Sequence, residues 1–356
     1  GGGIEKLQGK KIGYIYLPEF YADWERPDGA KSAEDVAREV QKLKSENIDG
    51  IIIDLRNNGG GSLFDVIQMV GLFIDEGPVV QVKDRQGVPT VLRDKDKGVL
   101  YDGPLAVMVN EFSASASEIF AAAIQDYKRG IIVGSTSTYG KGTVQRNIGL
   151  DGGRSGLLAG SDNDPAANLG TVKLTLQKFY RINGGSTQLK GVTPDIVLPD
   201  QFEYLQYREK DNPDALHWDE IDKAKYTPWS NGVDISNITR TEEVRIKRDS
   251  IFEQIESNTR MLSELNDKVY TLNLKKYQDE QKQIRDIVQQ INKLTRANKA
   301  NPVELLLSDV NRISNDEAKK ERQQLWLKNL KSDIYLGETV SIVNNIISQN
   351  AIARSN

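Results

Sequence analysis

Cysteine is absent and histidine occurs once, at His217. Without cysteine there are no disulfides, no thiolate metal sites and no thiol nucleophile. A single histidine rules out a multi-histidine zinc site. It also leaves a Ser–His–Asp triad one candidate, in Leu216-His217-Trp218-Asp219-Glu220, where a surface or packing role is the ordinary reading. A base that activates a hydroxyl in this chain is therefore a lysine or a carboxylate. No apolar run is long enough to span a bilayer. No low-complexity tract or internal repeat is present, and no secretory signal opens the chain. The sequence starts Gly1-Gly2-Gly3, so residues 1–10 read as a linker or leftover sequence. Forty-seven Lys and Arg face 51 Asp and Glu, a net charge of −4. That near balance argues against a broad electrostatic nucleic-acid binder.

What is present reads first as α/β. Lys11 to Leu17 alternate and are β-rich, as a strand requires. Ser32 precedes Asp35 in capping-box-like spacing, and Val36, Val40 and Leu43 then share a helical face. Residues 50–55 form a continuous apolar run suited to a buried strand, so this strand–helix–strand order predicts a parallel crossover. A helix is expected from about Ser62 to Asp75, short strands with turns over 79–101, a buried strand at 105–109, a helix over 114–128 and a strand at 131–133. Val172 to Ile182, followed by Asn183-Gly184-Gly185-Ser186 and Gln188 onward, reads as a hairpin. After Pro199-Asp200 the chain is polar and irregular to about 236. It then becomes charged and helical, with apolar stripes through Ile251, Ile255, Leu262, Ile287 and Ile291. Another helical stretch is expected from Pro302 and one more from Glu338 to Arg354. Residues 201–356 thus read as a helical region, whose helices pack on the core or serve a partner.

Three segments carry chemistry. Gly59, Gly60 and Gly61 follow a buried strand and free the backbone to present N–H groups to an oxygen. Alone, such a triplet is more often a tight turn than an anion site. Phe112-Ser113-Ala114-Ser115-Ala116-Ser117-Glu118 opens a helix, where a hydroxyl sits near unpaired N–H groups and the positive end of the dipole. Alone, it is more often an N-cap serine. In Tyr139-Gly140-Lys141-Gly142-Thr143-Val144-Gln145, a lysine lies between two glycines. Most lysines are solvated charges, but burial lowers the pKa and makes a base. Gln145 has the hydrogen-bonding groups to hold a neutral amine in place. All three segments follow buried strands and so are expected to converge on one sheet edge.

Together, Asp54-Leu55-Arg56-Asn57-Asn58-Gly59-Gly60-Gly61, Ser113 to Glu118, Gln125-Asp126-Tyr127 and Gly140 to Gln145 resemble the carboxy-terminal processing peptidases, or tail-specific proteases. Lys178 to Gln188 and Lys190-Gly191-Val192-Thr193-Pro194-Asp195 resemble the Prc type of Gram-negative bacteria. The likeness is strong over about 11–200 and looser beyond. It implies a serine peptidase core of ClpP/crotonase-like α/β fold with added β-strands over 11–200, followed by a mainly α-helical C-terminal domain over 201–356. It implies Ser115 as nucleophile, Lys141 as general base and Gln145, one helical turn on, as the residue that orients the lysine. The oxyanion hole would come from N–H groups of Ala116 and of Gly61 or Gly60, and Asp126 would have a supporting, structural role. No metal or organic cofactor is implied. The implied partners are protein or peptide substrates with apolar C-termini and an adaptor protein, in the periplasm. Relatives carry a PDZ domain before the strand at 11–17, so this chain is expected to lack its usual substrate reader. The competing expectations are a catalytically inactive scaffold or partner-binding protein on the same fold, and another acyl-transfer enzyme with a crotonase-like glycine loop.

Overall fold

A computed structural model describes residues 2–355 apart from 8, 24, 27, 151–169, 231–233, 267–268, 270–271, 298–300 and 314–315; for 2–7, 312–313 and 350–355 it describes the backbone alone. The central sheet is built from β1 (Gly2–Leu7), β2 (Lys10–Tyr16), β3 (Gly50–Asp54), and then, after the separate β4 (Gly77–Asp84) and β5 (Pro89–Asp94), from β6 (Leu105–Val109) and β7 (Ile131–Gly134). Short β10 (Ile196–Val197) and β11 (Val303–Leu305) complete it, in the order β10-β7-β6-β3-β2-β1-β11. The strands from β10 to β2 are mutually parallel. β3 and β6 are buried along their whole length, which is why they appear in the sequence as unbroken apolar runs.

Alternation along β3 shows how the sheet is covered. Ile51 and Ile53 point into a core shared with α1 (Ser32–Ser45), α2 (Leu63–Gly71) and α3 (Ala116–Asp126), through Val36, Val40, Val66, Val70 and Phe120. Ile52 points the other way, into a second core with α4 (Ile235–Ile246), α5 (Ser250–Asn266) and α9 (Ile334–Ser355), through Ile246, Phe252, Leu336, Val340 and Val343. The C-terminal helices are thus the second covering layer of the sheet. A smaller cluster, Leu262, Ile287 and Ile291, joins α5 to α6 (Leu274–Leu294). β4 and β5 belong to a second, antiparallel sheet with β8 (Thr143–Gly149) and β9 (Thr171–Tyr180), in the order β5-β4-β9-β8.

Several expectations are corrected. Residues 2–7 are a strand inside the sheet, not a linker: β1 pairs antiparallel with β2 on one side and with β11 on the other. Ser32 is the first helical residue rather than the cap, which is Lys31, and its hydroxyl donates to the Asp65 carboxylate on α2. α2 ends at Gly71, short of Asp75. β9 does not form its hairpin with residues from Gln188 onward. A single bridge, Tyr180 to Ser186, occurs there, and the strand pairs instead with β8 and β4. Past Pro302 the chain first makes β11 and only then α7 (Leu307–Ile313) and α8 (Glu317–Ser332).

Candidate active site

Because β3, β6 and β7 run parallel, the loops that follow them emerge at one edge. The glycine loop follows β3. Its anchor is Asn58, fully buried, whose Nδ2 donates to the Leu17 carbonyl at 2.9 Å and whose Oδ1 accepts from Gly60 N–H at 2.9 Å. The Asn58 carbonyl accepts from Ala114 N–H at 3.0 Å and from the Ser117 hydroxyl at 2.8 Å, which fastens the glycine loop to the serine loop. Gly60 then lies directly against the serine. A Cβ there would sit 2.7 Å from the Ser115 Cβ and 3.0 Å from Ala116 N, and φ is 105°, so glycine alone fits.

The three serines separate by environment. Ser113 is buried, with its hydroxyl donating to the Leu55 carbonyl at 2.8 Å and accepting from Asn110 N–H at 2.9 Å. Ser117 is buried and spent on Asn58. Ser115 is partly exposed, caps α3 and has φ 57° and ψ −112°, a sharp turn that an L-residue adopts only under constraint. Of the oxyanion candidates, Gly60 donates its N–H to Asn58 Oδ1. The N–H groups of Gly61 and Ala116 have no acceptor among the described residues.

The residue that joins the loops is Glu118, in the first turn of α3 and fully buried. Its Oε1 accepts from the Thr138 hydroxyl and from Gly140 N–H, both at 2.6 Å. Its Oε2 accepts from Ser115 N–H at 2.8 Å and from Lys141 N–H at 3.0 Å. Two nitrogens bonded to one oxygen lie within about 6 Å of each other, so Ser115 and Lys141 are neighbours through the backbone. Burial pushes the Glu118 carboxyl up to about 7, while the four donors pull it down. This role is not legible in the sequence, where Glu118 stands only as a helix-forming neighbour of the serines.

Lys141 is half-buried. Loss of hydration lowers its pKa, and the charge of Lys173 on β9 lowers it further, against Glu209 and Glu118. No hydrogen bond joins its amine to the Ser115 hydroxyl among the described residues. Gln145 is not one helical turn on, because residues 143–149 form β8. There Gln145 is exposed, and its Nε2 approaches the Thr175 Oγ1 at 3.5 Å. Asp126 closes the far end of α3. It holds Arg181 through an ion pair of 2.6 Å and Asn183 through a bond of 2.9 Å, fastening the helix to the end of β9. His217 lies exposed in the irregular segment, where its carbonyl accepts from Lys178.

Residues 11–198 match Peptidase family S41, and residues 202–348 match the C-terminal domain of tail specific protease. The tail-specific protease of Haemophilus influenzae is 41% identical over 277 residues, 76% of this chain and 37% of that protein. The carboxy-terminal-processing protease of Bartonella bacilliformis is 33% identical over 54% of this chain and 40% of its own length. Among solved structures, a photosystem II D1 C-terminal processing protease aligns with 28% identity and a TM-score of 0.43, over 53% of this chain and 42% of that one. The chain spans at most about two fifths of the curated relatives just described. With the family profile covering more than half of the sequence, and the tail-specific C-terminal domain following it, this chain belongs to peptidase family S41.

Proposed function

We propose that this chain is the catalytic part of a Ser–Lys endopeptidase that processes or degrades proteins selected by their C-terminal tails. The observation that carries the reading is the shared acceptor: one buried carboxylate oxygen holds the backbone of both Ser115 and Lys141. In the reaction, neutral Lys141 accepts the Ser115 hydroxyl proton as Oγ bonds to the carbonyl carbon, and the carbonyl electron pair moves onto oxygen. The N–H groups of Gly61 and Ala116 stabilise that oxyanion, a contribution of about 10²–10³ in rate per donor. As the C–N bond breaks, the Lys141 ammonium gives its proton to the leaving nitrogen, and the acyl-enzyme forms. Lys141 then accepts a proton from water as the water attacks the ester, and Ser115 is restored. Gln145, on the ribbon that continues from Lys141, orients the amine after rotating away from Thr175.

Substrates are extended or unfolded polypeptides with apolar C-termini, in the periplasm, where an adaptor presents some of them. The test uses the full-length protein and an unfolded substrate such as casein. Ser115→Ala and Lys141→Ala should each abolish cleavage while thermal unfolding by circular dichroism stays within a few degrees of the parent. Ordinary cleavage by folded Lys141→Ala removes the lysine from the mechanism. Absence of cleavage by the parent favours the scaffold.

A further inference from the structure

The segment that opens the C-terminal region touches both reactive loops. Its start is held by the helical layer: the Tyr335 hydroxyl on α9 donates to the Pro199 carbonyl at 3.0 Å, and the Thr259 hydroxyl on α5 to the Asp200 carbonyl at 3.3 Å. Residues 202–209 then cross the sheet edge. Phe202 and Tyr207 pack edge-on around Phe112, at ring separations of 5.5 and 6.0 Å, directly before the serine loop. Arg208 is only 4% exposed and reaches the lysine loop. Its guanidinium pairs with Glu203 at 2.9 Å and donates to the Thr136 hydroxyl at 3.2 Å and to the Ser137 carbonyl at 3.5 Å. The Thr136 hydroxyl in turn donates to Glu203 at 2.7 Å. One residue on, Glu209 N–H donates to the Tyr139 carbonyl at 3.0 Å. The Glu209 carboxylate accepts from Gln188, whose other amide atom accepts from Gly142 N–H at 2.8 Å. The lysine loop is therefore gripped before Lys141 by Arg208 and Glu209, and just after it by Gln188.

The glycine loop is tied to the same region. Arg56 pairs with Asp54 at its own base and, through Nη2, with Asp333 at the start of α9, at 2.8 Å. All three reactive segments thus have a partner beyond residue 198.

We propose that residues 199–211 position the Ser115 and Lys141 loops for the peptidase reaction, with Arg208 the positioning residue for the lysine loop. The inference rests on the peptidase reading above. The C-terminal helical region then sets the geometry of the reacting groups, so that a displacement of α5 or α9 is transmitted through Pro199 and Asp200 to Lys141. A misplacement on the scale of 1 Å costs about a hundredfold in rate.

The experiment measures kcat, KM and the pH dependence of kcat in the full-length protein for Arg208→Ala, Arg208→Lys and Thr136→Val, each checked for folding by thermal unfolding. Thr136 is exposed, so its variant folds even where loss of the buried guanidinium does not. The expected result for Arg208→Ala is a kcat lower by about tenfold to a hundredfold with little change in KM. The acid limb of its pH profile should shift upward as the loosened loop hydrates Lys141. Arg208→Lys, which keeps one donor, should recover part of the loss, and Thr136→Val should lower kcat in the same direction. Folded Thr136→Val with the parent's kcat and the parent's acid limb overturns the inference, as does the same result for Arg208→Ala. If the parent cleaves no better than Ser115→Ala, the peptidase reading has failed and this inference falls with it. If the parent is active and the variants match it, only this inference falls.

Discussion

Ser115 and Lys141 hang from one oxygen: each donates its backbone N–H to Oε2 of Glu118, at 2.8 and 3.0 Å. The other carboxylate oxygen holds Thr138 and Gly140. A single side chain thereby fixes the distance between the loop after β6 and the loop after β7. Glu118→Gln keeps the shape but replaces an acceptor oxygen with an NH₂ that meets N–H donors head-on. The expected cost is about 1–3 kcal/mol of stability and at least about a hundredfold in kcat. Denaturant unfolding and turnover measured on the same preparation check both figures. Turnover equal to the parent's would remove Glu118 from the machinery.

Burial drives the Lys141 amine toward its neutral form. The group is a base only when unprotonated, so kcat/KM should rise with pH through a pKa below the ordinary lysine value of about 10.4. Lys141→Arg, permanently charged, should show no turnover at any pH tested. An acid limb at the ordinary lysine value would place the amine in open water.

Gly60→Ala puts a methyl group 2.7 Å from the Ser115 Cβ and 2.8 Å from the Ala114 carbonyl. It also asks an L-residue to hold φ 105°. The expected loss is about 1–3 kcal/mol in stability, with turnover falling more steeply than stability because the displaced residue is Ser115 itself. Chemical denaturation and kcat separate the two. Unchanged turnover would mean that the glycine loop stands clear of the serine.

Several buried or half-buried carboxyls are held above their ordinary range, among them Glu118, up to about 7 by burial, and Glu111 and Asp200, upward by burial and by other carboxylates, Asp200 acting on Glu111 and Glu203 on Asp200. A carboxyl with a raised folded pKa leaves the folded state holding more protons than the unfolded chain. Its contribution to stability is complete below the unfolded pKa and is lost as pH rises through the folded one. The unfolding free energy should therefore fall between about pH 5 and about pH 8. Glu111→Gln removes one of these titrations, so its stability should fall less over that interval and exceed the parent's at the upper end. Denaturant unfolding at both pH values decides it, and parallel slopes for parent and variant would contradict the assignment.

The parallel strands were legible in the sequence because burial on both faces writes them as unbroken apolar runs, as in Gly50–Asp54 and Leu105–Val109. The serine and lysine loops were legible as small, glycine-rich breaks after such runs. β1 was not, because Gly2–Leu7 carries no alternation of its own and is a strand only through pairing with β2 and with residues 303–305. β8 was missed because most of its outer residues are exposed and polar, and the helical placing of Gln145 came from the family resemblance alone. Glu118 and Asn58 were invisible as organisers because both act through backbone groups brought in from other loops. Arg208 sits in a stretch whose polarity reads as loop, and only the fold shows its guanidinium buried against Thr136 and Ser137.

The pairing of β1 with β11 joins Gly3 to Leu305 and Glu5 to Val303. The strand β1 thus completes its pairing only with a segment far along the sequence, beyond α6. The Arg56–Asp333 ion pair spans a similar separation, and contacts between distant parts of a chain carry the largest loop-closure cost, so the sheet margin beside β1 and the anchor of the glycine loop are both expected to close late in folding.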